Sequence, residues 1–469
     1  MAKKYLFHRE SPISNPYRVF ALLSVILAGL FLLRGYGTGE VKELFHPTPT
    51  PTRTTGSFSF EGQTHFQAGN LNKAIEAYQA ALETNPNNSD LWLELARIQT
   101  YSSLLLTSND DRLARLQEAL VSANKAVETG PDNSSAHAVR GFVLDWNASL
   151  TEGEQDRQAL LIQAEQAVTK ARELDKNNVL ALAYAAEIYN DALKNDLAQA
   201  AIDQAKALNP DLMDVQRVRA SLLERLGDYK GAIDAYNRAI ELSPNLTFLY
   251  INVGVIYRYL GMTAKTDEIQ QQYYDQALDV FAKAVELNKQ LGIDDPTPYV
   301  AIGKVYTQMG EFFIASRNAK KALQFNPSSP DLYGQLGMVY FKARNYETSI
   351  PALQCVVEGC GPEISCQVRD DCDQASAQPI TIKGIELKSN DAATIVYYYT
   401  YGSVLAGLYR PVGDTSGYCE RAAKIFATVR AVAGDDPSII SIISASEAIC
   451  ASYKTNPRPS ITPTPTKVK

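Results

Sequence analysis

Two stretches far apart in this chain carry the same pattern. AGNLNKAIEAYQAALETNP (68–86) and LGDYKGAIDAYNRAIELSP (226–244) both place Gly, Ala-Ile, Tyr, Ala and Pro at the same offsets. A recurring unit of this kind constrains the fold more than composition does. Each copy leaves an apolar face that only a neighbouring copy can cover, so the chain must stack its units into an array. Ala, Leu, Tyr and Gln recur throughout and β-branched runs are few, which makes the units helical.

The offsets have steric reasons. Small residues (Gly254, Gly303 and Gly337 in first helices; Ala74, Ala232, Ala277 and Ala315 in second helices) let the two helices of a unit approach closely. Tyr78, Tyr236 and Phe281 fill the space beside the next unit, and Ala81, Ala239, Ala284 and Ala322 allow a second close approach. Pro86, Pro131, Pro210, Pro244 and Pro327 end second helices, because proline cannot continue them. Gly227, Gly261 and Gly310 follow first helices, as C-terminal caps do. This pattern resembles the tetratricopeptide repeat (TPR), a helix-turn-helix unit. The resemblance implies an all-α fold, a right-handed α-solenoid of helical hairpins, over 55–358.

Eight hairpins are expected to begin near Thr55, Ser89, Ser134, Val179, Met213, Thr247, Pro296 and Pro330, with a degenerate ninth from Ile395 to Val432. The second, third and sixth carry about eleven extra residues between their helices, close to three helical turns, which predicts lengthening of both helices. At 359–391 the pattern stops for a small Cys-rich insert. In it, ITIKGIELK (380–388) alternates apolar and polar residues about Gly384 and predicts a β-hairpin. The remainder, 392–453, is the degenerate repeat and a capping helix from Pro437 to Tyr453.

The ends differ in kind. Val19 to Leu33 is uncharged, and eleven of its fifteen residues are Leu, Ile, Val or Phe. Insertion into a bilayer would gain about 3–7 kcal/mol before its flanking arginines are counted. With Arg18 and Arg34 snorkelling, and Tyr17 and Tyr36 at the interfaces, 19–37 reads as one N-terminal transmembrane helix, with a cleaved signal peptide as the alternative. A basic leader (1–18) precedes it and a Thr/Pro-rich linker (38–54) follows. The tail, 454–469, repeats that Thr/Pro composition and is expected to be disordered. The positive leader places the N-terminus in the cytoplasm and the repeats on the extracytoplasmic side of a cell membrane.

Net charge is −7. Because residues 1–34 and 454–469 each carry about +4, the repeat body is near −15, and nucleic-acid binding is not expected. Cys355, Cys360, Cys366, Cys372, Cys419 and Cys450 all fall in the last quarter. Their even number and clustering suggest disulfides and an oxidising compartment; reduced thiols are the alternative. Cys419 and Cys450 would pair across the end of the array, leaving four cysteines with three connectivities. No phosphate loop, nucleophile elbow or metal-binding histidine pair occurs, so neither enzyme activity, a cofactor, a metal nor a small-molecule substrate is expected.

By the resemblance, ligand contacts fall at the second, fifth, ninth, twelfth and thirteenth positions of first helices. Carried over, these give a partner-binding groove of Arg217, Ser221, Phe248, Ile251, Val255, Arg258, Tyr259, Met338 and Phe341. The expected function is a membrane-tethered bacterial scaffold holding a protein or peptide. The alternative is a cell-envelope assembly or polymer-binding factor that uses the Cys-rich insert and basic tail.

Overall fold

The computed structural model describes residues 15–37, 54–106, 108–151, 153–372, 379–388 and 391–455. The chain divides into two compact units, 1–54 and 55–469. The leader up to 14, the linker 38–53 and the tail from 456 lie outside the described residues.

The first unit contains α1 (Pro16–Gly37), opened by proline, which fits the first helical turn. Its 22 residues extend about 33 Å, comparable to a bilayer core. Among the described residues, Pro16–Gly35 is the one stretch long and apolar enough to cross a membrane, and protein does not bury it.

The second unit is a run of helical hairpins: α2 (Thr55–Gln67) with α3 (Leu71–Thr84), α4 (Ser89–Ser102) with α5 (Asn109–Thr129), α6 (Ser134–Leu150) with α7 (Glu154–Leu174), α8 (Val179–Asp191) with α9 (Asn195–Leu208), and α10 (Met213–Arg225) with α11 (Tyr229–Leu242). It continues through α12 (Thr247–Met262) with α13 (Asp267–Leu291), α14 (Thr297–Met309) with α15 (Phe312–Phe325), and α16 (Pro330–Lys342) with α17 (Tyr346–Val357). A short α18 (Pro362–Arg369) precedes α19 (Ala392–Leu408), α20 (Tyr418–Ala433) and α21 (Pro437–Thr455).

Local chemistry sets the helix starts. Asn70, Asn88, Asn133, Asn178, Asp228 and Asn345 each accept a hydrogen bond from a backbone N–H of the following first turn. Each such cap contributes about 1 kcal/mol. Inside a hairpin the small residues behave as steric logic requires. A Cβ on Gly254 of α12 would stand 2.3 Å from the Phe281 ring of α13. The degenerate ninth hairpin keeps the same device, since a Cβ on Gly402 would stand 2.5 Å from Phe426.

One expectation is refined and one corrected. The long hairpins do lengthen both helices, the second more: α5, α7 and α13 have 21, 21 and 25 residues against 14 in α3, while α6 and α12 have 17 and 16 against 13 in α2, and α4, of 14, continues into a 3-10 turn at Ser103–Leu105. Second, 380–388 is not a β-hairpin. Ile382 forms a single antiparallel bridge with Cys360, and the Ile385 N–H donates to the Val356 carbonyl at 2.8 Å. The segment lies extended along the end of α17, burying Ile382 and Leu387.

The cysteines are bonded Cys355–Cys360, Cys366–Cys372 and Cys419–Cys450. The first ties the stretch before α18 to α17 of the eighth hairpin, and the second closes the C-terminal flank of α18 back onto that helix. There the Arg369 guanidinium donates to Asp371 at 2.7 Å and to the Tyr333 hydroxyl at 2.9 Å.

Candidate functional site: the concave wall

First helices line the inside of the array, and across α4, α6, α8, α10 and the start of α12 their side chains pack directly on one another. The Asn245 amide donates to the Gln67 carbonyl at 3.0 Å, so the junction before the sixth hairpin touches the turn of the first. Tyr101 of α4 stacks on Phe248 of α12 with centroids 5.2 Å apart. Its hydroxyl donates to Asp214 of α10, which also accepts from Tyr184 at 2.7 Å and Arg97 at 3.0 Å. Arg217 pairs in a two-pronged fashion with Glu187, at 2.7 and 2.6 Å. The same guanidinium lies over the rings of Tyr101, Phe142 and Trp146 at 5.4–5.8 Å. Two desolvated acids thus face two desolvated guanidiniums, and aromatic rings exclude water around them. Despite burial, the Asp214 carboxyl is held below the usual range by Arg97 and Arg217.

One acid in this interior lacks such compensation. Asp145 is 2% exposed and neither of its oxygens meets a donor. Burial pushes its carboxyl well above the usual range; Asp191 and Glu187 push further, while Arg217 opposes. A carboxyl raised on folding contributes full stability below about pH 4, and that contribution is lost as pH rises through the folded value. Asp145→Asn removes the effect. Thermal melts should show the variant gaining on the natural chain as pH rises, by about 1–3 kcal/mol once the acid is charged. A difference constant between about pH 4 and pH 8 would mean that Asp145 does not titrate in this way.

Past the sixth hairpin the wall opens. Val300, Lys304, Thr307 and Gln308 of α14 share one helix face, as do Gln335, Met338 and Lys342 of α16, at three-, four- and seven-residue spacings. With Arg258 of α12 and Ala393, Val396 and Tyr397 of α19 they enclose a slot of about 340 Å³. Lys304, Gln335, Ala393 and Tyr397 also face a larger polar cavity of about 910 Å³. The insert roofs this cavity through Lys383–Glu386 and Lys388, and Lys388 reaches Asp110 of α5 at 3.0 Å. A third cavity, about 260 Å³, runs from Lys304 and Gln335 to Ile251, Phe248 and Leu104–Leu106. Lys304 and Gln335 therefore stand where three cavities meet.

The Asp331 carboxylate accepts from Gln335 at 2.7 Å and Tyr397 at 2.9 Å, and burial raises it above the usual range. Tyr397 reaches it because α19 packs over Gly334, where a Cβ would stand 2.7 Å from the ring. The Lys304 amine is open to the cavity yet enclosed by the surrounding helices. That enclosure lowers it below the usual lysine range; Asp331 opposes this and Arg258 adds to it.

The expected groove residues divide accordingly. Arg217 is corrected, since it is buried in its ion pair and lines none of these cavities. Phe248 is 3% exposed under Tyr101 and meets only the edge of the third cavity. Ser221 is half-buried and lines no cavity described here. Val255 packs against the cluster containing Tyr274, Phe281 and Val305. Tyr259 is 43% exposed and rests on Tyr229, while Phe341 rests on Tyr346. Ile251, Arg258 and Met338 do line cavities. Val300, Lys304, Thr307 and Gln308 were missed, although they occupy the fifth, ninth, twelfth and thirteenth positions of the seventh hairpin, whose first helix was not carried over. Val396 and Tyr397 belong to the degenerate hairpin, where repeat offsets gave no guide. Among the described residues no group of His, Cys, Asp or Glu side chains is placed to hold a metal.

Residues 62–99 match the family described as TPR repeat, and 185–246 the tetratricopeptide repeat. The BBSome complex member BBS4 of Bos taurus is 30% identical over 146 residues, covering 31% of this chain and 25% of that protein. The photosystem I assembly protein Ycf3 of Synechococcus sp. (strain CC9605) is 32% identical over 109 residues, 23% of this chain and 57% of that protein. The chain spans about a quarter of the length of the first of these relatives. A thermophilic TPR protein of Thermus thermophilus is 20% identical, over 43% of this chain and 98% of that one, with a TM-score of 0.36.

Proposed function

We propose that this chain, a tetratricopeptide-repeat protein, is a non-catalytic scaffold that holds a partner protein or peptide in the open part of its concave wall, over α12, α14, α16 and α19. The carrying observation is the contrast between the two halves of that wall. One half is sealed by its own aromatic rings and ion pairs. The other leaves three joined cavities, and among the described residues the slot's Arg258, Lys304 and Lys342 form no salt bridge. TPR arrays mediate protein–protein interaction, and the matched relatives are, by name, a complex member and an assembly protein.

Placement follows from separate observations. The apolar helix Pro16–Gly35 supports a membrane tether, and a signal sequence would share its length and composition. Three cysteine pairs and a basic leader support a cytoplasmic N-terminus with the array outside. Two measurements test the reading. A reporter active only outside the cytoplasm should work when fused after Lys469; activity of a cytoplasm-only reporter there refutes the topology. Met338→Glu should cut partner capture by full-length protein about tenfold or more, with the far-ultraviolet helical signal intact. Unchanged capture places the ligand elsewhere.

A further inference from the structure

The slot beside Met338 is unusual for the charge it carries. The whole chain is acidic, with net charge −7, yet Arg258, Lys304 and Lys342 line the slot and no Asp or Glu does. Among the described residues none of the three cations forms a salt bridge; Arg258 donates only to the Met262 sulfur, at 3.8 Å. The acid whose charge acts on Lys304, Asp331, is already engaged by Gln335 and Tyr397 and faces the larger cavity. Between the cations the walls are apolar: Val300, Leu332, Val339, Val396 and the Tyr397 ring. Enclosure holds both Arg258 and Lys304 below their ordinary ranges; Tyr274 opposes this at Arg258, while repulsion from the Arg258 charge lowers Lys304 further. An anion placed between them would relieve that repulsion. At about 340 Å³ the slot is near the lower end of ligand pockets and suits one large side chain rather than a folded element.

We propose that the slot takes an acidic peptide segment in which an apolar side chain stands beside one or more Asp or Glu residues. This rests on the reading that partners occupy the open wall, and it names their chemistry. The apolar side chain enters between Val300, Met338 and Val396, and the carboxylates meet Lys304, Arg258 and Lys342. The carboxylates set selectivity, since a basic or neutral neighbour would leave the cations confined and unpaired. The chain's own tail has the wrong sign to serve as occupant, with Lys454, Arg458, Lys467 and Lys469 and no acid.

The test uses full-length protein in detergent and three fluorescein-labelled Gly-Ser peptides, each with one leucine flanked by Glu, by Gln or by Lys. Anisotropy should show the Glu peptide binding about tenfold or more tighter than the Gln peptide, with the advantage shrinking as salt rises. The Lys peptide should bind weakest. Lys342→Glu should reverse the order of the Glu and Lys peptides, and Lys304→Gln should reduce the Glu preference with the helical signal unchanged. Equal binding of the Glu and Gln peptides, both lost with Met338→Glu, overturns the acidic class and leaves the groove reading standing. Preference for the Lys peptide, or binding of dodecanoate but of no peptide, overturns the proposal as well. Glu-peptide binding that survives both Lys304→Gln and Lys342→Glu overturns the assignment to this slot.

Discussion

Arg217→Met lowers the stability of the array by about 3–5 kcal/mol, the cost of stripping one partner from a desolvated ion pair. Arg217 and Glu187 are 5% and 8% exposed at their side chains and bonded through both guanidinium nitrogens. Removing the arginine leaves the Glu187 carboxylate buried, with only the Trp146 indole N–H at 3.1 Å to meet it. Three aromatic rings also lose the cation that lies over them. Urea titration followed by the helical signal measures the loss as an earlier midpoint. The double variant Arg217→Met, Glu187→Met should recover most of it, because an apolar pair of similar volume carries no desolvation cost. A loss below about 1 kcal/mol would mean that water reaches the pair, as it does for surface ion pairs, and that the first half of the concave wall is open.

Breaking the Cys419–Cys450 bond has the second large effect, about 3–4 kcal/mol for a closed loop of 31 residues. Cys419 opens α20 and Cys450 lies near the end of α21, so the bond joins the start of one helix to the end of its antiparallel neighbour. These helices also meet through Arg430 and Glu447, at 2.7 and 2.9 Å, and no further hairpin covers α21 among the described residues. The end of a linear array frays first, since it lacks one neighbour. Cys419→Ser with Cys450→Ser should therefore bring an early unfolding phase confined to α19–α21, seen as faster amide exchange there than in α4–α12. Exchange at the unaltered rate, or free thiols at both positions in unreduced protein, contradicts the staple.

The repeat made the hairpins legible almost to the residue. Thr55, Ser89, Ser134, Val179, Met213, Thr247 and Pro330, read as starts from offsets, are the first residues of α2, α4, α6, α8, α10, α12 and α16. That success is local, because small residues, caps and prolines act within one unit and its neighbour. The groove was less legible because it depends on closure of the array. Phe248 was read as a ligand contact from its helical position. Its actual partner, Tyr101, lies 147 residues earlier and reaches it only because the first hairpin meets the sixth. No periodicity encodes that distance. Alternation in 380–388 similarly marks an extended segment, whose Ile382 and Leu387 are buried, and does not tell that its partner is Cys360 rather than the segment itself.

The sealing of one half of the wall and the opening of the other is the claim on which the functional reading stands. It is tested most directly by photo-crosslinking from single benzoylphenylalanine substitutions at Thr307, at Met338 and at Val121, which is 63% exposed on α5. The full-length protein, illuminated in the cells that make it, should give the same partner adducts from Thr307 and Met338 and none from Val121. Adducts from Val121 with none from Thr307 or Met338 would contradict the account.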